Sequence, residues 1–182
     1  MNFNNSINLY MDSIDYEKIR KFVTEHSILE PTSIHGPEHW KYVERNGLLL
    51  AKLNGADEIV IRLFALFHDA MRFNDFYDEE HGPRGAELAK KMRGKLYEVS
   101  DNQFEMLYAA CHCHTTHSRT GILTIDTCFD ADRLDLPRAG YIPNPKKMAT
   151  QHGAKIAALG EKNKVSLKDY RNWIDTIELN SL

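Results

Sequence analysis

The chain has 182 residues, 42% of them hydrophobic, and its formal net charge at pH 7 is -3. That length and apolar content suit one globular domain over residues 1–182. The net negative charge gives no sign of a basic surface that would bind nucleic acid or an anionic membrane. The sequence also contains neither a signal peptide nor an apolar run that could span a bilayer. We therefore expect a cytoplasmic protein that acts on a small soluble molecule.

Histidine is in excess, and the cysteines do not suggest a disulfide framework. Seven of the nine histidines lie between His35 and His117, beside many acidic residues, which favours a metal or catalytic site. The three cysteines are odd in number, and Cys111 and Cys113 are close together, so reduced thiols are expected. A zinc site built on these two thiolates would lack the paired spacing of structural zinc sites.

Helical periodicity and helix-capping residues run through most of the chain, and no segment alternates as a strand would. A polar segment of residues 1–12 comes first. Helices are then predicted over about 15–25, 37–54, 56–72, 83–94, 100–111, 124–136, 147–159 and 166–178. The predicted class is all-α, a bundle of about seven helices.

The helix over 56–72 is the centre of this arrangement. Residues 63–67 are apolar all round, so the helix should be buried rather than amphipathic, and it delivers His68 and Asp69 near its C-terminal end. A carboxylate is costly to bury unless a cation, a metal or a proton satisfies it. The pair could form two corners of a metal site, or a hydrogen-bonded pair at a helix end.

Other metal-competent side chains lie on neighbouring helices. His39 falls in the first turn of the helix that begins at Pro37, and His35 lies in the loop before it. His81 opens the helix near 83–94. In the segment after Ala110, His114 and His117 would share a helix face and His112 would point away from it. Four aspartates of the 124–136 helix lie in an apolar frame and need partners: Asp126, Asp130, Asp132 and Asp135.

The ordered set of His39, His68-Asp69 and Asp132 resembles the HD-domain superfamily, an all-helical group of metal-dependent phosphohydrolases. The resemblance covers about residues 35–140 and implies that these four side chains are the metal ligands. It is carried by the stretches His35-Gly36-x-x-His39-Trp40, Phe67-His68-Asp69, His81-Gly82 and Ala131-Asp132-Arg133-Leu134-Asp135.

The resemblance extends to the two-metal branches of that superfamily, in which the doublet aspartate bridges two ions. His81 and His114 match, in order, the histidines that bind the second ion there. The sequence departs from those branches in two ways. It lacks the Gly-Tyr-Pro motif after the later histidine, and only about a dozen residues separate Asp69 from His81. One ion or two therefore remain open.

Two imidazoles and two carboxylates suit Mn²⁺, Fe, Co²⁺, Ni²⁺ or Zn²⁺, with Mg²⁺ as a further option. Such an ion activates a bound water and polarises a phosphoryl oxygen. Candidates for phosphate contact are Arg72, Arg84 and Arg133, because a guanidinium forks onto phosphate. His35 and Asp135 are expected to orient ligands or move protons. The expected catalytic residues are thus Asp69, His35, Arg72 and Asp135.

The function that follows is a metal-dependent phosphohydrolase that uses metal-activated water on a small phosphoester, such as a nucleotide. Two alternatives stay open: a diiron oxygenase, since the HD fold resembles that of inositol oxygenase, and a non-catalytic, metal-bound helical domain that binds a ligand. The sequence predicts neither the substrate nor the oligomeric state.

Overall fold

The computed structural model describes residues 14–30 and 32–178, so the predicted polar segment of residues 1–12 lies outside the described part. Within that part the fold is all-α, as predicted, with eight α-helices, two short 3₁₀ helices and no strand. Helices α1 to α8 cover Tyr16–His26, Pro37–Asn54, Glu58–Phe67, His81–Met92, Asp101–Cys113, Leu123–Arg133, Gln151–Lys162 and Tyr170–Ile174. The 3₁₀ helices Leu136–Ala139 and Pro145–Lys147 lie between α6 and α7.

Helix α3 is the centre of the bundle. Residues 63–67 are each at most 1% exposed, and α3 packs against α1, α2, α4, α5 and α6. A helix that is apolar on every side has to be covered on every side, so the predicted burial is confirmed. Asp57 begins the helix by accepting the backbone N–H groups of Ile59 and Val60, at 2.9 and 3.2 Å.

Several predicted helix ends are confirmed by their caps. Helix α2 ends at Gly55, whose φ of +78° is left-handed and whose N–H donates to the carbonyl of Ala51 at 2.8 Å. Helix α5 begins with the predicted capping box, in which the Ser100 hydroxyl and the Gln103 side chain each accept the other residue's backbone N–H. These ends depend on local chemistry, which is why the sequence predicted them.

One predicted helix begins later than expected because of a long-range contact. The carboxylate of Asp130 accepts the backbone N–H groups of Ala149 and Thr150, both at 2.7 Å, and this holds the chain out of a helix there. Helix α7 therefore begins at Gln151 rather than 147, with Thr150 as its cap. Helix α6 ends at Arg133 rather than 136. The same contact supplies the partners that the buried Asp130 needs.

The last helix is shorter than predicted, with five residues in place of 166–178. The Ser166 hydroxyl donates to the Asp169 carboxylate at 2.5 Å, so residues 166–169 form a turn that precedes the helix. Tyr170 and Ile174 are buried in a second apolar cluster with residues of α2, α7 and the segment after α6. This packing fixes α8 against α2 and the Leu134–Asp135 segment.

The described part of the chain has no helix with both the length and the apolarity that a bilayer crossing requires.

Candidate metal centre

The His68-Asp69 pair lies just beyond the end of α3, not within it. The α-helix ends at Phe67, and the chain continues in tight turns in which Ala70 N–H donates to Phe67 O at 3.2 Å and Arg72 N–H donates to Asp69 O at 3.1 Å. Bonds of this short span are common where a helix ends. Both side chains are buried at the point where α2, α4, α5 and the end of α6 meet.

A first cluster is formed by His39 from α2 together with His68 and Asp69. The Nε2 atoms of the two histidines are 3.1 Å apart. Each of these atoms is 3.6 Å from Oδ2 of Asp69. The three ligand atoms are close enough to coordinate one ion.

Asp132 lies on the more open side of the first cluster. Its Oδ1 is 3.3 Å from His39 Nε2, and its side chain is 19% exposed, whereas that of His39 is fully buried. The structure thus brings together the four side chains that the family resemblance implied as ligands of one ion. Asp132 comes from the last turn of α6, which packs against α2.

A second cluster lies on the other side of the same aspartate. His81 at the start of α4 and His114 just after α5 bring their Nε2 atoms to within 3.0 Å of each other. Oδ1 of Asp69 is 3.2 Å from the first of these atoms and 3.7 Å from the second. The two oxygens of one carboxylate therefore face two separate histidine pairs.

The hydrogen bonds fix which nitrogen of each histidine carries the proton. Three Nδ1 atoms face backbone carbonyls: His68 faces Phe64, His81 faces Asp78 and His114 faces Cys111. A carbonyl only accepts, so each Nδ1 donates. His39 Nδ1 donates to the Asp135 carboxylate at 2.7 Å. In the neutral form of each ring, Nε2 therefore keeps a lone pair that is turned inward.

These lone pairs give the centre the donor atoms that it needs to bind cations. Within each pair, two nitrogen lone pairs about 3 Å apart repel each other unless a proton or a metal lies between them. Oδ1 of Asp69 is buried and has no hydrogen-bond partner in the described part of the chain. An unsatisfied buried carboxylate oxygen between imidazole lone pairs is costly without a positive charge, and a divalent ion supplies one.

The electrostatics of the aspartates agree with this reading. Burial raises the pKa of the Asp69 carboxyl, but the surrounding histidines, His68 first among them, lower it well below its usual range. Burial also raises the pKa of Asp132, but interaction with the adjacent His39 and Arg138 lowers it well below its usual range. Both carboxyl groups are thus anionic at neutral pH.

His35 and Asp135, which the sequence analysis proposed as orienting residues, each contact one of the candidate ligands. His35 Nδ1 donates to Oδ2 of Asp69 at 2.8 Å. Asp135 is fully buried and accepts from His39 and from Arg171, whose Nε and Nη2 donate to its two oxygens at 2.7 and 2.9 Å. Burial raises the pKa of Asp135, and the hydrogen bonds from these two partners outweigh it and lower the pKa.

Two of the three arginines proposed for phosphate contact are committed to the protein instead. Arg84 donates to the Met71 carbonyl and to the Asp78 carboxylate, at 3.0 and 2.5 Å. Arg133 donates to three backbone carbonyls, those of residues 117, 118 and 147. Each of these guanidinium groups thus ties a loop to a helix.

Arg72 does lie at the centre, on the side of the second cluster. Its Nε and Nη2 donate to the carbonyls of Asn74 and Phe76, which holds the 73–80 loop in place. Its Nη1 is 3.0 Å from His81 Nε2 and 3.6 Å from Oδ1 of Asp69. A guanidinium thus already supplies one positive charge to the second cluster.

Two arginines near the first cluster, Arg138 and Arg171, were not among the site residues that the sequence analysis proposed. Nη2 of Arg138 is 3.4 Å from Asp132 Oδ1 and 3.4 Å from His35 Nδ1. Both residues follow the recognised motifs, in a 3₁₀ helix and in a short terminal helix, where no spacing signal points to a site. His112 and His117, whose roles were left open, are exposed.

The buried histidines predict how stability depends on pH. Burial lowers the pKa of His68 from 6.5 to about 3 and also lowers that of His81. Burial acts the same way on His114, but hydrogen bonding and attraction to Asp69 raise its pKa overall. Where the folded pKa lies below the unfolded one, the unfolded chain binds the proton first, so stability is lost as the pH falls through 6.5 towards 3. For His114, whose pKa is raised in the folded protein, stability is instead lost as the pH rises.

We expect the thermal midpoint of chelator-treated protein to fall between pH 7 and pH 5, because two of these histidines oppose protonation and one favours it. Circular dichroism melts across this range would measure the change. The variant His68→Gln should show a shallower dependence. A midpoint that stays constant or rises on acidification would contradict the expectation.

No protein-family model matches the sequence, and no curated protein matches it. Among solved structures, the chain is similar to the crystal structure of a predicted HD superfamily hydrolase from an uncultured Thermotogales bacterium, with 23% sequence identity and a TM-score of 0.67. The alignment covers 91% of this chain and 94% of that chain. The resemblance predicted from the motifs is therefore confirmed at the level of the fold.

Proposed function

We propose that this chain, which has the fold of a predicted HD superfamily hydrolase, is a metal-dependent phosphohydrolase that acts on a small phosphoester such as a nucleotide. One observation carries the proposal. Two histidine pairs turn their Nε2 lone pairs inward at 3.1 and 3.0 Å, on opposite sides of the Asp69 carboxylate. Such an arrangement gains stability when divalent cations bind.

The first ion would be held by His39, His68, Asp69 and Asp132, and a second by Asp69, His81 and His114. When bound, a divalent ion lowers the pKa of a coordinated water and polarises a phosphoryl oxygen. The mixture of nitrogen and oxygen donors suits Mn²⁺, Fe²⁺, Co²⁺, Ni²⁺ or Zn²⁺ better than Mg²⁺.

The two positions should differ in affinity. The first cluster has four ligand side chains, and no cation competes for its Nε2 atoms among the described contacts. At the second cluster Nη1 of Arg72 already contacts His81 Nε2, so a second ion meets a positive charge. We therefore assign tight binding to the first position and weaker binding to the second.

The substrate would approach from the side of His35 and Asp132, which are the ligating or orienting groups that keep some exposure. His35 donates one ring N–H to Asp69, which leaves its Nε2 as the atom able to exchange a proton with the substrate or a water. Ser33 donates to Asp75 at 2.5 Å, so the loop that carries His35 is tied to the 73–80 loop. These two loops would form the mouth of the site.

For phosphate contact, Arg138 replaces the arginines proposed from the sequence. Its Nε and Nη1 donate to backbone carbonyls at 2.9 and 3.0 Å, which fixes the guanidinium plane. Within the described residues, Nη2 has only the two contacts of 3.4 Å to His35 and Asp132, and thus lies beside the first cluster with donor capacity to spare. A fixed guanidinium in that place can bind a phosphoryl oxygen.

The test combines elemental analysis with a hydrolysis screen. Protein purified without chelator should carry a transition metal, and Mn²⁺, Fe²⁺, Co²⁺ or Mg²⁺ should support hydrolysis of at least one member of a phosphoester panel. Removal of the metal by EDTA should abolish that activity, and the metal should restore it. Protein that binds no divalent ion under any of these conditions would overturn the proposal.

The same experiment separates the two alternatives. Two histidine clusters that share a carboxylate also suit a diiron oxygenase, which would show substrate-dependent oxygen uptake with iron and no phosphate release. A metal-bound domain without catalysis would hold the metal and hydrolyse nothing in the panel. Either result would leave the metal centre in place and replace the hydrolase function.

A further inference from the structure

Arg171 lies on α8, the last helix, about as far along the chain from the motif residues as the described part allows. Its guanidinium nevertheless donates to both oxygens of the Asp135 carboxylate: Nε to Oδ1 at 2.7 Å and Nη2 to Oδ2 at 2.9 Å. This is the two-pronged geometry in which arginine binds a carboxylate most specifically. The carboxylate is fully buried, so few other groups can replace those bonds.

Asp135 in turn holds a proposed metal ligand. Its Oδ2 accepts the Nδ1–H of His39 at 2.7 Å, and this bond fixes both the tautomer and the tilt of the imidazole ring. The ring must present its Nε2 towards His68 and Asp69. Hydrogen bonds therefore connect Arg171 on α8 to Asp135, and Asp135 to His39 of the first cluster.

The surroundings of Arg171 limit its freedom. The guanidinium stacks over the ring of Tyr42 at 4.1 Å from its centroid, and Nη1 pairs with Glu38 at 3.4 Å. Both partners are on α2, the helix that also carries His39. Because Arg171 is contacted on three sides, its guanidinium keeps a single orientation. Its two hydrogen bonds then fix the orientation of the Asp135 carboxylate.

We infer that Arg171 is a positioning residue for the first metal, which it stabilises by clamping Asp135 and thereby orienting His39. The inference rests on the proposed function only in requiring that this cluster bind a divalent ion. Through Arg171, helix α8 would then support the metal centre in addition to packing on the apolar core. Without the clamp, the Asp135 carboxylate can rotate and the His39 ring can tilt.

The test measures the affinity of the first Mn²⁺ binding event by calorimetry, without reference to any substrate. Arg171→Gln should weaken it by about 10- to 100-fold, the range expected when an outer partner of a metal ligand is lost. Arg171→Lys keeps the charge but loses the fork, and should recover part of that loss. In an Asp135→Asn background, Arg171→Gln should cause little further loss, because Arg171 acts through Asp135.

Arg45→Gln is the matched control. Arg45 also joins α2 to α8, through the Arg171 carbonyl and Asp175, and its side chain is 23% exposed against 21% for Arg171. Its removal should lower the thermal midpoint of the metal-free protein and leave Mn²⁺ affinity within about twofold of wild type, given the 10-fold or larger effect expected of an outer partner.

Three results would overturn the inference. Arg171→Gln could bind Mn²⁺ as tightly as wild type, the control could weaken binding as much as Arg171→Gln does, or the Arg171 and Asp135 effects could simply add. In each of these cases wild-type protein still binds Mn²⁺ and the proposed function stands. Wild-type protein that binds no divalent ion would overturn both.

Discussion

Replacing Asp69 with asparagine should remove metal binding at both clusters and abolish hydrolysis. The loss of Mn²⁺ affinity should exceed the roughly 100-fold that marks the upper range for outer partners, because Asp69 would be a direct ligand of both ions. Asparagine has the same size, so the cavity is preserved while the charge is lost. Its NH₂ group would also place donors where ligand oxygens are needed.

The geometry explains why one substitution should act on both positions. Oδ2 of Asp69 faces His39 and His68, and Oδ1 faces His81 and His114. His114→Ala removes a ligand from the second cluster alone, so it should keep the tight Mn²⁺ binding event and lose the weaker one. His117→Ala is the matched control, since it deletes an exposed histidine three residues away and should bind metal as wild type does.

Calorimetric Mn²⁺ titration of the four proteins, with activity measured in parallel, checks this prediction. Thermal melts in EDTA should show that each variant still unfolds cooperatively. If folded Asp69→Asn protein retained full metal content and full activity, the assignment of the centre would be wrong. Loss of both binding events in His114→Ala would instead argue against two separable positions.

The candidate ligands could be predicted because each carries a local signal. His68 and Asp69 end an apolar run where ionisable groups are out of place, and Asp132 follows an apolar frame in the same way. Their order along the chain then matched a known pattern. The resemblance to the two-metal branches also implied that Asp69 could bridge two ions, with one ion or two left open; in the structure Asp69 lies between the His39–His68 and His81–His114 pairs.

The residues that support the ligands could not be predicted, because their partners are distant in sequence. Arg171 is 36 residues from Asp135, and no spacing relates the two. The arginines proposed for phosphate contact illustrate the converse. Arg84 and Arg133 lie next to motif residues in sequence, yet their guanidinium groups point to backbone carbonyls. Proximity along the chain does not determine where a long side chain ends.

Helix ends likewise fall into those that local residues set, which were predicted, and those that a distant residue sets, which were not. Those set by local caps, at Gly55 and Ser100, were predicted, whereas the start of α7 depends on Asp130, which is 20 residues before Thr150. The sequence showed that Asp130 needed a partner in an apolar frame. It did not show that the partner would be the backbone that a predicted helix required.

The sequence analysis gave Gly82 and Gly85 of α4 no steric role, and the structure does. A Cβ added at Gly85 would lie 2.4 Å from the Phe67 carbonyl oxygen and 2.8 Å from that of His68. At Gly82 it would lie 2.7 Å from the Cys111 carbonyl oxygen. The first turns of α4 therefore fit between the ends of α3 and α5, which is what brings His81 close to Asp69 and His114.

Gly85→Ala should lower the free energy of unfolding by about 1–3 kcal/mol, the usual cost of overpacking. A decrease in the free energy of unfolding would be informative, because alanine has a higher helix propensity than glycine by roughly 1 kcal/mol. Only the contact with two backbone carbonyls, which cannot rotate away as a side chain would, reverses that preference. Urea denaturation in EDTA would measure the change, with Lys91→Ala as an exposed control on the same helix.

The same variant should also weaken the second metal position more than the first. Relief of the clash moves α4 away from the end of α3, and His81 moves with α4, whereas His39 lies on α2. Mn²⁺ titration of Gly85→Ala should thus keep the tight binding event and reduce the weaker one. A variant as stable as wild type, with both events intact, would show that α4 can shift without cost and that the close packing does not set the position of His81.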